Sequence, residues 1–290
     1  MLQLNLAANS LIQTDTQLAC FGEKGTINIA TSVLEKETIE CLKDHFQSIG
    51  KEYINIAPLL IVPEPSNLRE KSDGEEIQTF LDTMQAQFDV RSVVYISFGT
   101  FFWPEITSVS AVIEEFLEEQ MPFLLAHPVA ELPEELAGQI SRSGIAKEVT
   151  WAPQQQVLAH SATGWFVTHG GWNSMQEAFR YRVPLIHWPI AAEQPLNAAL
   201  LSLKFNAVFE VRRGERGTKK PYRCGDGPSP AFTDHSLRKE LRALLQSLKG
   251  DEARRVRGNF EIIADRLASV WEDGGEAQKA FEGFLNRHFT

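Results

Sequence analysis

One turn in this sequence has residue types suited to holding an anion. His169-Gly170-Gly171-Trp172-Asn173-Ser174 follows the apolar run Trp165–Thr168 and opens a helical pattern that runs to Tyr181. Two adjacent glycines permit positive φ and a close approach of backbone to ligand. A helix start presents N–H groups that have no intrahelical partner, at the positive end of its dipole. Asn173 and Ser174 add side-chain donors and His169 adds a ring N–H. Together they suit a diphosphate. The same residues also read as an ordinary glycine turn. Ser174 and Glu177 stand at capping-box spacing, with Ser174 as N-cap and Glu177 tying the helix start.

Two neighbouring groups have a comparable double reading. Trp151 ends a strand-like stretch ahead of Pro153 and Gln154. An indole there can stack on a nucleobase while Gln154 bonds its polar edge, or it can belong to the core. Glu193 and Gln194, after the Pro189 turn, are two side chains able to bind hydroxyls, or a helix start with Pro195 behind it.

Such residues need strand ends and helix starts to position them, and the chain supplies both from Ser92 onward. Val93–Ile96, Phe123–Leu125, Trp165–Thr168, Val183–Ile186 and Ala207–Val211 read as strands. Between them, Ile106, Val109, Ile113 and Phe116 keep helical spacing behind Pro104, and Ala198–Phe205 is helical in pattern. Alternation of this kind predicts an α/β fold with a doubly wound parallel sheet covered on both faces. Ligands bind such sheets in the loops beyond the carboxyl ends of the strands. From Thr233 the pattern is helical to the end. Upstream, Thr26–Ala30 reads as a strand and Glu35–Phe46 as a helix, while Ile61–Asp73, with Pro63 and Pro65, reads as a linker. The segment 212–232 holds six Arg and Lys among Gly and Pro and reads as a solvated loop.

Composition narrows the function classes. The chain has 290 residues, 43% apolar and 23% charged, which excludes a disordered or collagen-like protein. A net charge of −10 argues against nucleic acid or anionic lipid as a general partner, so a phosphate must be held by local geometry. Cys20, Cys41 and Cys224 form no C-x-x-C pair, which predicts neither a disulfide framework nor a zinc site, and a reducing compartment. No run approaches the length of a membrane span, and the first residues lack a basic, then apolar, signal pattern. The expectation is a cytoplasmic protein.

The order of these groups resembles the nucleotide-sugar signature of the family-one UDP-glycosyltransferases, the plant secondary-product glycosyltransferase box. That box runs from W-x-x-Q through V-L-x-H, G-x-F-x-T-H-x-G-W-N-S, E and V-P to D/E-Q. Trp151 to Gln194 spans 44 residues, the family's spacing without an insertion. The resemblance implies a GT-B fold, with a Rossmann-like C-terminal domain that holds a UDP-sugar. It implies that Trp151 stacks on uracil, that Ala152 contacts the base through its main chain, and that Gln154 lies near base and ribose. His169, Trp172 through its backbone N–H, Asn173 and Ser174 would hold the diphosphate. Glu177 would bind the ribose, and Glu193 and Gln194 the sugar hydroxyls. Ser97-Phe98-Gly99-Thr100 resembles the family's S-F-G-S/T loop and would place Thr100 by the phosphates. Two positions depart from the pattern: Arg182 stands for the usual Gly before Val-Pro, and Glu193 for the usual Asp. Gln194 in place of His resembles glucose users.

The resemblance also divides the chain. Residues 1–62, with Ala30-Thr31-Ser32-Val33-Leu34-Glu35 and Ala57-Pro58-Leu59, resemble the end of the family's acceptor domain. Residues 63–91 are then the linker, 92–273 the donor domain and 274–290 a helix crossing back to the first domain. In the family a His early in the acceptor domain, oriented by an Asp, removes the acceptor hydroxyl's proton, and the alcohol displaces UDP with inversion. His45, His127, His160 and His169 stand outside that motif, so no catalytic base is identified. The expectation is an N-terminally incomplete hexosyltransferase acting on a small lipophilic acceptor. The alternative is a non-catalytic UDP-sugar-binding subunit that needs a partner chain to supply the base. Neither a metal nor a further cofactor is expected.

Overall fold

Residues 18–20, 25–28, 30–57, 71–99, 103–127, 132–211 and 233–288 are described by a computed structural model. Thr100 and the basic segment 212–232 lie outside the described residues, as does the proline-bearing part of the segment read as a linker. In chain order the elements begin β1 (Leu18–Cys20), β2 (Gly25–Asn28), α1 (Ser32–Ser48), β3 (Glu52–Asn55), α2 (Lys71–Phe88) and β4 (Val93–Ser97). Next come α3 (Ile106–Glu118), β5 (Phe123–Ala126), α4 (Glu134–Ser143), β6 (Ala146–Val149), α5 (Gln154–Ala159) and β7 (Thr163–Thr168). The chain then forms α6 (Trp172–Tyr181), β8 (Leu185–His187), α7 (Gln194–Ala199) and β9 (Phe209–Glu210). Three helices follow: α8 (Asp234–Ser247), α9 (Asp251–Ser269) and α10 (Glu276–His288).

The chain divides into two compact units, Met1–Ile61 with Ile262–Thr290, and Val62–Glu261. The second holds a six-stranded sheet of order β6-β5-β4-β7-β8-β9, every neighbouring pair parallel. Counted from β4, that is the 3-2-1-4-5-6 order of a Rossmann-like sheet, whose direction of winding reverses between β4 and β7. The central strands are built for burial on both faces. Every residue of Val93–Ser97, Phe123–Ala126 and Thr163–Thr168 is buried, and most are β-branched or aromatic. Helix α3 covers β4 and β5 with Val109, Val112, Ile113 and Phe116, and α8 packs on α3 through Leu237, Leu241, Leu244 and Leu245. Between those two helices the buried Glu115 carboxylate accepts from Arg242 Nε at 2.6 Å and Nη2 at 2.8 Å, and from Arg238.

Several elements differ from the sequence reading. Within 63–91, residues Lys71–Phe88 form a helix whose buried face is Ile77, Leu81 and Met84, at spacings of four and three. The helix read as Ala198–Phe205 begins earlier, at Gln194, and ends as a π-helical turn, Leu200–Lys204. Strand β6 is half-exposed along its length because it is the sheet's edge.

The other unit has a small sheet of order β1-β2-β3, with β1 antiparallel and β3 parallel to β2. Thr31 caps α1, its hydroxyl accepting from Val33 N at 3.2 Å. Helix α1 buries Ile39 and Leu42 with Tyr53, while Phe284 of α10 packs with Ile54 and Ile56. This unit takes in the C-terminal stretch from Ile262, so the division between the two units falls inside α9. Among the described residues no helix is long and apolar enough to cross a membrane.

Candidate functional site

Parallel strands put all their carboxyl ends on one edge, and the loops from β4, β6, β7 and β8 meet there. Sheets of this strand order bind ligands where the winding reverses, which here is between β4 and β7. Beyond β4, Phe98 is buried edge-to-face against Trp103 and Trp188. Gly99 takes φ +74°, and its carbonyl accepts from Trp103 Nε1 at 3.0 Å.

Beyond β7 the chain turns through His169, Gly170 and Gly171 into α6. Gly170 has φ +81°, a conformation other residues enter at a cost. Gly171 is needed for space, since a Cβ there would lie 2.5 Å from His169 Nε2. The imidazole also packs against Gly99, so the two loops touch through it. Burial pushes its pKa down to about 4, and the ring is neutral at pH 7. A neutral ring has one N–H. Thr168 Oγ1 stands 3.3 Å from His169 Nδ1 and accepts from Gly170 N at 3.4 Å. When the threonine hydroxyl donates to Nδ1, the remaining proton sits on Nε2, and that nitrogen becomes a donor for a ligand.

Helix α6 begins without a side-chain cap. Gly171 is its N-cap, which places Trp172, Asn173 and Ser174 in the first turn, where backbone N–H groups point out of the helix end. The capping box at Ser174 and Glu177 is therefore not formed: Ser174 lies inside the helix, and a glycine precedes it where the cap side chain would stand. Glu177 is instead drawn sideways. Its carboxylate accepts from Gln154 Nε2 and from Gln155 Nε2, the latter at 3.1 Å. Gln154 Nε2 also stands 3.5 Å from Ser174 Oγ. The turn after β6, which carries Trp151 and Ala152, is thereby joined to α6 through Gln154 and Gln155. Trp151 is 41% exposed although it is a tryptophan, while Ala152 is buried. An indole this exposed is free to stack on a ligand rather than pack in the core.

After β8, Glu193 is the N-cap residue of α7 and is partly exposed. Gln194 is 2% exposed, and its Oε1 accepts from Ile190 N at 2.9 Å and Ala191 N at 2.8 Å. Its oxygen is thus committed to the loop, and its Nε2 has no partner among the described residues. Four residues that the sequence reading did not single out complete this edge. Gln155 shares Glu177 and accepts from Tyr181 OH at 3.3 Å. Asn197 Nδ2 donates to Gly170 O at 3.0 Å. His187 is fully buried against Gly170, its ring nitrogens without partners among the described residues, and burial with the nearby His169 pushes its pKa down to about 3. Trp103 braces the β4 loop. For Asn197 the available signal was its place one turn after Gln194 on the buried side of α7. Among the described residues no three His, Cys, Asp or Glu side chains converge as metal ligands.

At this edge of the sheet stand an exposed indole at Trp151, the Glu177 carboxylate and the start of α6. Residues 66–213 match the model of the family described as "UDP-glucoronosyl and UDP-glucosyl transferase". The UDP-glycosyltransferase eriJ of Hericium erinaceus is 34% identical over 280 residues, covering 92% of this chain and 55% of that protein. Anthocyanidin 3-O-glucosyltransferase 1 of Fragaria ananassa is 28% identical over 258 residues, 86% of this chain and 50% of its own. Among solved structures, Medicago truncatula UGT71G1 complexed with UDP-glucose superposes with a TM-score of 0.71 at 25% identity, over 90% of this chain and 53% of that one. A UGT from Siraitia grosvenorii in complex with UDP gives 0.70 at 21% identity, over 90% and 58%, a likeness of fold. The fold is α/β of the GT-B type. The chain spans about half the length of the curated relatives it matches.

Proposed function

Because the chain belongs to the UDP-glucoronosyl and UDP-glucosyl transferase family, we propose that its second unit is the donor-binding half of a hexosyltransferase. The donor is a UDP-sugar, with glucose the favoured hexose, and the acceptor is a hydroxyl of a small lipophilic molecule. Uracil stacks on the exposed face of Trp151 and meets the main chain at Ala152. Glu177 accepts the ribose hydroxyls, with Gln154 beside it. The diphosphate lies over the start of α6, where it takes hydrogen bonds from the Trp172 N–H, from Asn173 and Ser174, and from His169 Nε2–H. Glu193 and the Nε2 of Gln194 face the sugar. Thr100 is assigned to the phosphate side by its place in the S-F-G-T loop.

The observation that carries this reading is the double contact of Gln154 with Ser174 and Glu177. It joins the turn that carries Trp151 to the first turns of α6, which supports reading the two as parts of one donor site. Chemically, the N–H cluster stabilises the negative charge that builds on the departing diphosphate as the acceptor oxygen attacks the anomeric carbon with inversion. No described residue is assigned as the base for the acceptor proton.

Calorimetric titration with UDP-glucose tests the reading. Wild-type protein binds, and His169→Ala, which loses one hydrogen bond to a charged oxygen, binds roughly 10–100-fold more weakly. Equal affinity in the two proteins would remove His169 from the site. Incubation with UDP-glucose and a panel of phenols then separates a transferase from a binding subunit by turnover.

A further inference from the structure

We propose that Asn197 is a positioning residue for donor binding, holding the Gly170–Gly171 peptide in the one orientation that offers an N–H to the diphosphate. The inference rests on the donor-site reading given above. Its basis is the geometry of one peptide unit. In a planar trans peptide the carbonyl of one residue and the N–H of the next point in opposite directions. Asn197 Nδ2 takes the Gly170 carbonyl at 3.0 Å on the buried side. The Gly171 N–H is thereby sent the other way, and it has no partner among the described residues.

This peptide needs such a restraint. It joins two glycines, so no Cβ on either side opposes rotation of the whole unit. Once rotated, it would present a carbonyl oxygen where the N–H now stands, exchanging a donor for an acceptor beside an anion. Asn197 is well placed to prevent this, because it is only 9% exposed and fixed on α7. One turn earlier on the same helix, Gln194 Oε1 holds the N–H groups of Ile190 and Ala191. Helix α7 therefore braces the glycine turn and the loop that carries Glu193 at the same time.

The test exploits the polarity of the hydrogen bond. Asn197→Asp is close to isosteric but turns the donor into an acceptor, which repels the Gly170 carbonyl and attracts the Gly171 N–H instead. Affinity for UDP-glucose is expected to fall about tenfold or more. Affinity for uridine, followed by ligand-observed NMR, is expected to stay unchanged because it depends on Trp151 and Glu177. Asn197→Ala, which removes the bond without inverting it, should show the same split in smaller measure and serves as the variant read if the aspartate protein does not fold. Unchanged affinity for UDP-glucose in a folded variant, or parallel loss of uridine, would overturn the proposal. Wild-type protein that binds uridine but not UDP-glucose would overturn the donor-site reading, and this inference with it.

Discussion

Two histidines eighteen residues apart in sequence flank the glycine turn, His169 against Gly171 and His187 against Gly170, and have different tasks. His169 stands at the start of the turn, and its neutral ring needs the Thr168 hydroxyl to choose which nitrogen keeps the proton. His187 is fully buried, its two ring nitrogens unpartnered among the described residues, a cost that a core of aliphatic residues would avoid. Burial, then the neighbouring His169, lowers its pKa from 6.5 to about 3. The sign of the consequence follows from proton counts. Below pH 6.5 the unfolded chain takes up a proton that the folded chain refuses, so stability falls as the pH drops from there towards 3 and is unaffected above. Each unit of that window is worth about 1.4 kcal/mol. Urea unfolding at pH 7 and pH 5 should therefore show a smaller acid-induced loss in His187→Leu than in wild type, by about 2 kcal/mol. Identical losses would mean that His187 is protonated in the folded protein.

At the scale of elements, the junction of α6 and β8 shows how a local departure from the family pattern is accommodated. Arg182 closes α6 with φ 57° and ψ 35°, the left-handed conformation for which glycine is the usual choice. The backbone thus keeps the glycine geometry without the glycine, and the strain falls on Cβ. Arg182→Gly is expected to raise stability by about 0.5–1 kcal/mol, read as a higher melting temperature with unchanged UDP-glucose affinity. A lower melting temperature would show that the contacts of the Arg182 side chain outweigh the strain. The same region explains what could be read from sequence. Strands β4 and β7 were legible because burial on both faces requires an unbroken apolar run, and their ends fixed the edge where ligands bind. Strand β6 was only partly legible, since Ala146-Lys147-Glu148-Val149 at a sheet edge has no such run. Helix α2 was hidden by the prolines before it, although Ile77, Leu81 and Met84 already had helical spacing. The N-cap at Ser174 was misplaced because a glycine turn can begin a helix with no side-chain signal. Asn197 was missed because its bond to Gly170 spans 27 positions and follows no period.

At the scale of the molecule, every residue assigned to the donor lies in the unit Val62–Glu261, while the other unit is assembled from the two ends of the chain. That second assembly depends on contacts of very long sequence separation. Glu52 of β3 accepts from Arg287 and pairs with His288 Nε2 at 2.9 Å. Ser32 donates to Glu276, and Phe284 closes over Ile54 and Ile56. The exposed ion pairs contribute little, so the apolar contact carries most of the docking of α10. Phe284→Ala should cost this unit about 3 kcal/mol, at the low end for a phenylalanine because its cluster is small. Hydrogen exchange followed by mass spectrometry distinguishes the outcomes. Faster exchange is expected in Gly25–Asn28 and Glu52–Asn55, with Val93–Ser97 and Thr163–Thr168 as protected as before. UDP-glucose affinity should stay within about twofold of wild type, because no donor-binding side chain belongs to the loosened unit. If exchange rose in both sheets together, the two units would unfold as one, and the independence of the donor half would have to be abandoned.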